Sequence, residues 1–169
     1  MVNVVLASYV YTKKPVNRLI AIWTWVFSAN TPPCSHSEVV LLKDGKYQCF
    51  SSTNRGGNHG TRWEYPEKVF KYPERWVFQV KGYSDFEVKR MCDRADGILN
   101  LPYDWLGIAG FATIFGLLNS KLKWYCSEAC NFVIFILHAL RISPRALYKK
   151  AKEKGFVEIP YNLLPWVNV

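Results

Sequence analysis

The stretch Trp124–Cys130, WYCSEAC, decides the fold, because it leads into the most apolar helical run of the chain, Ser127–Leu140. A helix that is apolar nearly all round is typically buried, so this run predicts an interior helix. Cys126 then lies at the helix start, where the positive end of the helix dipole and unpaired N–H groups favour thiolate over thiol. The stretch therefore predicts a central helix with a reactive cysteine at its N-terminus.

Strand-like runs lie on the N-terminal side of this helix. They are Val2–Ala7, His36–Leu42, Tyr47–Thr53 and Trp76–Val80. The Asp44–Gly45 dipeptide between the second and third runs is a strong hairpin signal. His36 heads one of these strands, about 90 residues before Cys126. A base and a nucleophile that are distant in sequence can meet in a fold, because their arrangement is defined by geometry.

Helical patterns complete the layout. Helices are predicted at Asn17–Phe27, at Asp85–Asn100 with Ser84 as N-cap, and from Ser143-Pro144 to a stop at Gly155. The pattern predicts an α+β fold in one domain, 1–169, with a basic C-terminal helix and tail at about 143–169. A buried helix that carries a cysteine at its start, packed on an antiparallel sheet, describes a papain-like core.

The composition excludes some classes of protein and favours certain partners. Half of the 169 residues are hydrophobic, which excludes a disordered segment or a coiled coil. Lys and Arg total 22 against 13 Asp and Glu, giving a net charge of +9 that favours anionic partners such as anionic lipid or cell-wall peptidoglycan. A nucleic-acid role is disfavoured, because no basic patch is interleaved with aromatic residues.

The cysteines predict a reducing compartment. There are five of them, an odd number without close spacing, which is a poor disulfide framework. The sequence contains no Cys-x-x-Cys pair and three histidines, so neither a metal site nor a cofactor is predicted.

The longest apolar run, Trp105–Leu118, holds about 14 residues, whereas a membrane span needs about 20. The run predicts a buried helix or helix pair, and a monotopic membrane contact remains open as the alternative. The N-terminus lacks the basic segment of a secretory signal peptide, so none is expected.

Four segments together resemble a known superfamily. In chain order they are Ser35–Val40 (SHSEVV), Cys49–Thr53 (CFSST), Leu101–Gly107 (LPYDWLG) and Trp124–Cys130. They resemble the circularly permuted form of the NlpC-type cysteine peptidases and amidases, which includes viral and bacteriophage proteins. The similarity spans roughly residues 17 to 140 and implies a permuted papain-like fold. It also implies a phage or viral source, with the host cytoplasm or the virion as location.

The resemblance implies roles for individual residues. Cys126 would be the nucleophile and His36 the general base, while Tyr103 and Ser127 would line the substrate and oxyanion side. The third residue, which orients the imidazole in the family, falls on Ser51, where the common pattern has His, Glu, Asp or Gln. Ser127 has a second interpretation as a residue that favours the helix N-terminus by capping.

Glu38 offers the charge that Ser51 lacks. A serine stabilises an imidazolium less than a carboxylate does, because it carries no charge. If Asp44–Gly45 is a two-residue turn, Glu38 lies across from Ser51 and on the same face as His36. Glu38 would then act on His36 directly or through Ser51. The candidate catalytic residues are therefore Cys126, His36, Ser51 and Glu38.

The leading hypothesis is a cysteine hydrolase of amide or peptide bonds, with peptide or peptidoglycan-like anionic substrates. One alternative is an acyltransferase or a lipid or thioester hydrolase, in which Trp105–Leu118 forms an acyl site. A second alternative is a non-catalytic virion or interaction protein that retains the fold. The oligomeric state is left open.

Overall fold

The computed structural model describes residues 1–10, 32–54, 59–104, 124–136 and 142–167. These residues form a six-stranded antiparallel sheet with spatial order β4-β3-β2-β1-β5-β6. The strands are β1 Val2–Tyr9, β2 His36–Lys43, β3 Lys46–Thr53, β4 Gly60–Glu64, β5 Trp76–Tyr83 and β6 Val157–Ile159. The helices are α1 Pro66–Val69, α2 Asp85–Gly97, α3 Cys126–Phe135 and α4 Pro144–Glu153. The predicted α+β class is confirmed.

Two predicted segments, the helix at 17–27 and the apolar run at 105–118, lie outside the described residues. None of the helices in the described part of the chain has the length and apolar character that a membrane crossing needs.

The β2–β3 hairpin has the predicted two-residue turn. Asp44 and Gly45 both adopt positive φ, at 51° and 75°, which matches the twist of the flanking strands. The register pairs Val39 with Phe50. Continued by one residue, it sets Glu38 opposite Ser51, as the sequence predicts.

The central strands are covered on both sides, because alternate residues of a strand point to opposite faces. Val39 and Leu41 pack in a core with residues of α2, α3 and α4. Val40 packs in a second core with Phe70 and Leu164. The middle of β2 is therefore fixed from both sides, and this holds its first residues in place.

Helix boundaries follow local chemistry. The Ser84 hydroxyl accepts from the Glu87 N–H, and the Glu87 carboxylate accepts from the Ser84 N–H, which confirms the predicted cap of α2. This helix ends at Gly97 rather than at Asn100, which has left-handed backbone, a conformation that asparagine tolerates.

The buried helix α3 packs on β2 and β3, as expected, and begins at Cys126. Ile136 adopts a left-handed φ of 61° directly after Phe135, so the prediction of a continuous helix to Leu140 is wrong at that residue. A left-handed β-branched residue is sterically disfavoured, and the sequence pattern gave no reason to expect one.

β4 was not predicted, since the sequence around it indicated a loop. It pairs with β3 through Ser51 and Arg62, and through Thr53 and Gly60. A Cβ atom at Gly60 would lie 2.1 Å from the Leu101 carbonyl oxygen, so any side chain at this position would force the backbone apart. Gly60 also forms a bridge with Pro102, which ties the edge of the sheet to the segment that carries Tyr103.

Candidate active site

Cys126 is the first residue of α3 and is fully buried. The residue before it, Tyr125, has extended backbone, and its N–H donates to the Glu128 carboxylate at 3.3 Å. Glu128 therefore stabilises the first turn of the helix. The sulfur is thus held at a helix N-terminus, where a negative charge is favoured by the helix dipole.

His36 is the first residue of β2 and 7% exposed. Its Nε2 lies 2.9 Å from Oε1 of Glu38, and the ring is close enough to the Cys126 side chain to interact with it. Burial disfavours the charged ring, but the charges and hydrogen bonds of Cys126 and Glu38 outweigh it and raise the pKa of His36.

Glu38 is almost fully buried, yet it is held as a carboxylate. Arg62 donates from Nη2 to Oε1 at 2.8 Å and from Nη1 to Oε2 at 3.1 Å. Burial alone would raise the pKa of this carboxyl, but the Arg62 charge and the hydrogen bond with His36 lower it to about 2. The ring of His36 therefore has an ionised partner across the working pH range of most proteins.

Sequence reasoning missed Arg62. The residue lies on β4 directly across from Ser51, and so at one remove from Glu38. A strand predicted at Gly60–Glu64 would have placed Arg62 beside Ser51 in the sheet. The short run Gly60–Glu64 offered too little alternation to predict that strand.

The family resemblance implied that Ser51 orients the imidazole, but its hydroxyl donates to backbone carbonyls instead. It donates to the Ser37 carbonyl at 2.6 Å, with a second contact at 3.3 Å to the Ser52 carbonyl. The residue that contacts the imidazole is Glu38, and the contact is direct. Ser51 instead holds the backbone of β2 next to His36.

The Tyr103 segment runs beside the nucleophile segment. Tyr103 forms a parallel bridge with Trp124, in which the Asp104 N–H donates to the Trp124 carbonyl at 3.2 Å and the Trp124 N–H donates to the Pro102 carbonyl at 3.0 Å. The Tyr103 and Tyr125 rings meet edge to face, with centroids 6.1 Å apart. Tyr103 therefore lies near Cys126, because it pairs with Trp124, two residues before Cys126.

Tyr125 is buried beside the sulfur. Burial, followed by the charges of Cys126 and Tyr103, raises the pKa of its phenol well above the usual range. A phenol that stays protonated is a hydrogen-bond donor, and the side chain of Tyr125 forms a hydrogen bond with Cys126. Sequence reasoning gave this residue no role.

Ser127 turns away from the substrate side on which the sequence placed it. Its side chain is fully buried, and its hydroxyl donates to the carbonyl of Ile142. The contact fixes the chain that leads into α4. On this geometry Ser127 is an anchor within the core, next to the site.

All five cysteines are free. Burial raises the pKa of Cys34 to about 12 and that of Cys92 to about 11, and it raises those of Cys49 and Cys130 well above their ordinary value. These four are poor nucleophiles on this count. Within the described ranges, no group of three or more His, Cys, Asp and Glu side chains is arranged to hold a metal ion.

No family model matches the chain, and no curated protein matches it. Among solved structures it is similar to the crystal structure of the metalloprotein yiiX from Escherichia coli O157:H7, DUF1105. The TM-score is 0.54 at 15% sequence identity, and the match covers 91% of this chain and 81% of that chain. At this identity the likeness is one of fold.

Proposed function

We propose that the chain is a cysteine hydrolase of amide or peptide bonds, on a permuted papain-like fold of the NlpC type. One observation carries the proposal: a buried imidazole, His36, interacts with the side chain of Cys126 and has its Nε2 2.9 Å from an ionised carboxylate, Glu38. A thiol at a helix start, a base and a group that orients the base form the arrangement used in nucleophilic catalysis.

The reaction follows from this geometry. His36 takes the proton of Cys126, and the thiolate attacks the substrate carbonyl carbon to form a tetrahedral intermediate. The backbone N–H of Cys126 and the hydroxyl of Tyr103 are the donors proposed for the oxyanion. The C–N bond breaks as His36 gives its proton to the leaving amine. Water, deprotonated by His36, then hydrolyses the thioester, which releases the acid and regenerates the thiol.

The substrate class rests on charge and on the family resemblance. The net charge of +9 favours an anionic polymer, and peptidoglycan stem peptides combine that charge with amide bonds. Peptide or peptidoglycan-like amides are therefore the proposed substrates.

A specific observation favours one alternative, a non-catalytic protein that retains the fold. Cys126 is fully buried and His36 is 7% exposed. A dyad enclosed to this degree could serve packing alone, as free cysteines commonly do. The two functions differ in whether the sulfur reacts as a thiolate, and this can be measured.

The test is the pH dependence of Cys126 alkylation, followed by peptide mass spectrometry, together with hydrolysis of peptidoglycan stem peptides. We expect labelling to persist well below about pH 7, and hydrolysis to be lost in Cys126→Ala. Cys92→Ala, which changes a buried cysteine on α2 whose sulfur contacts the Leu42 carbonyl, serves as the matched control and should retain hydrolysis.

A labelling profile of an ordinary thiol, with a midpoint near pH 8.5, would overturn the hydrolase proposal in favour of the non-catalytic one. Acid-side labelling, with turnover of thioesters in detergent and none of peptides, would point instead to the acyl-transfer class.

A further inference from the structure

We propose that Arg62 is a positioning residue of the dyad, which grips both oxygens of Glu38 and so fixes the carboxylate against His36. This inference rests on the proposed function and adds a fourth member to the chain of contacts that begins at Cys126. Arg62 hydrogen-bonds to Glu38 and not to His36 or Cys126, so it acts through Glu38.

Three hydrogen bonds fix the orientation of the Glu38 carboxylate. Its Oε1 meets both Nε2 of His36, at 2.9 Å, and Nη2 of Arg62, at 2.8 Å, while its Oε2 meets Nη1 of Arg62 at 3.1 Å. The terminal torsion of a carboxylate is otherwise soft. A guanidinium that donates to both oxygens fixes this torsion, because its fork is planar and rigid. Oε1 is thereby held on Nε2, which fixes the orientation of the His36 ring.

The burial of Glu38 makes its ion pair with Arg62 necessary. The side chain of Glu38 is 1% exposed and that of Arg62 is 15% exposed. Among the residues that the structure describes, the titratable groups that act on the pair besides these two and His36 are Cys49 on β3, Glu64 on β4 and Cys130 on α3. Those three are neutral or negative, so none compensates the buried carboxylate. Without Arg62, burial would favour the protonated form of Glu38.

A functional consequence follows. A protonated Glu38 would hold the imidazolium less well, and the thiolate–imidazolium pair would lose stability as the pH falls. Arg62 therefore extends the pH range of the dyad on the acid side. A purely structural ion pair would change the stability of the fold without changing the shape of this pH dependence.

The experiment compares Arg62→Gln, Arg62→Lys and the matched control Arg75→Gln, whose guanidinium pairs with the exposed Glu74 at 3.4 Å. Two quantities are followed from pH 3 to pH 8: the rate of Cys126 alkylation by iodoacetamide, and the carboxyl carbon shift of Glu38 by NMR. In Arg62→Gln, we expect the alkylation rate at pH 5, relative to pH 8, to fall about tenfold below the wild-type ratio. We also expect the Glu38 carboxyl to titrate at higher pH than in the wild type.

Arg62→Lys should give an intermediate profile, because lysine keeps the charge and loses the fork. Arg75→Gln should match the wild type. If Arg62→Gln does not fold, Arg62→Lys decides the question. An alkylation rate at pH 5, relative to pH 8, that is at least about twofold below the wild-type ratio supports the inference that the paired hydrogen bonds of Arg62 position Glu38. A wild-type pH profile overturns it. In folded Arg62→Gln, unchanged alkylation and unchanged Glu38 titration would likewise overturn the inference.

The two readouts separate this inference from the proposed function. If the wild type shows no acid-side thiolate, the hydrolase proposal fails. The Glu38 titration then still reports whether Arg62 holds the carboxylate ionised and in place.

Discussion

The first and second turns of α3 carry the same residue type in opposite chemical settings. Cys126 and Cys130 are both fully buried and lie one helical turn apart. Cys126 meets the imidazole of His36, whereas Cys130 meets the backbone carbonyls of Ser37 at 3.5 Å and Phe50 at 3.8 Å. Burial raises the pKa of Cys130 well above its ordinary value, and the nearby charge of Glu38 adds to this. Depth and helix membership therefore do not decide the chemistry of a thiol, and its ionisable partner does.

The largest expected difference is between the two thiols in the wild-type protein. At pH 6 we expect iodoacetamide to label Cys126 on the order of 10³-fold faster than Cys130, because the proposed base His36 lies beside Cys126, whereas Cys130 is desolvated and lies near the negative charge of Glu38. Peptide mass spectrometry after a timed quench measures both rates in one sample. A denatured sample is the control and should label both equally; equal rates in the native protein would contradict the comparison.

Loss of the imidazole should remove most of this difference. His36→Asn keeps a hydrogen-bonding group of similar reach and removes the base, so we expect the labelling rate of Cys126 at pH 6 to fall about 100-fold. His59→Asn is the matched control, since the His59 ring bonds to Asn54 and not to the dyad. A wild-type rate in His36→Asn would show that the helix N-terminus alone activates the sulfur.

Neutralising the carboxylate should have a smaller effect on reactivity. In Glu38→Gln the imidazolium loses its anionic partner, and we expect about tenfold slower labelling of Cys126 at pH 5. Wild-type rates and a wild-type pH profile in this variant would mean that Glu38 does not act on His36.

The same variant should change how stability depends on pH. The pKa of Glu38 is lowered from 4.5 to about 2, so its contribution is present above pH 4.5 and is lost as the pH falls towards 2. The wild type should lose on the order of 3 kcal/mol from this group over that window, and Glu38→Gln should lack this component. His36, with a raised pKa, has the opposite sign: its contribution is present below pH 6.5 and is lost as the pH rises through the raised value. Urea unfolding at pH 6, 4 and 3 measures the slope, with Glu74→Gln as an exposed control.

The smallest effect is expected at Cys130 itself. Cys130→Ala removes a small buried side chain whose sulfur hydrogen-bonds to the Ser37 and Phe50 carbonyls, so the free energy of unfolding should fall by about 1 kcal/mol. The labelling rate of Cys126 should stay within about twofold of the wild type, since the dyad is intact. A large loss of Cys126 reactivity would show that the second turn takes part in activating the first.

Local signals predicted the frame of the site. The Asp44–Gly45 turn fixed the β2–β3 register, and through it the proximity of Glu38 and Ser51, because a two-residue hairpin leaves no slack. The apolar run after Cys126 predicted the buried helix with the sulfur at its start. These features depend on neighbours in sequence or on a single turn.

The missed features depend on contacts that no local pattern records. Arg62 reaches Glu38 because β4 pairs with β3, and Tyr125 acquires its setting from the bridge between Tyr103 and Trp124. The Ser51 hydroxyl satisfies a backbone carbonyl, a choice that depends on the exact spacing of two strands. The sequence therefore predicted that His36 and Glu38 share one face of β2, whereas the contacts of Arg62 and Tyr125 are visible only in the structure.

The contact at Gly60 has a consequence for mutational scans of this protein. The Leu101 carbonyl occupies the space that any β-carbon would need there, and the adjoining bridge to Pro102 positions the segment that carries Tyr103. A library of substitutions scored by activity would therefore rank Gly60 among the most intolerant positions, although it contributes no functional group. Intolerance at this residue would reflect the close packing of the Gly60 backbone against Leu101 and Pro102. It would not indicate that Gly60 takes part in the chemistry.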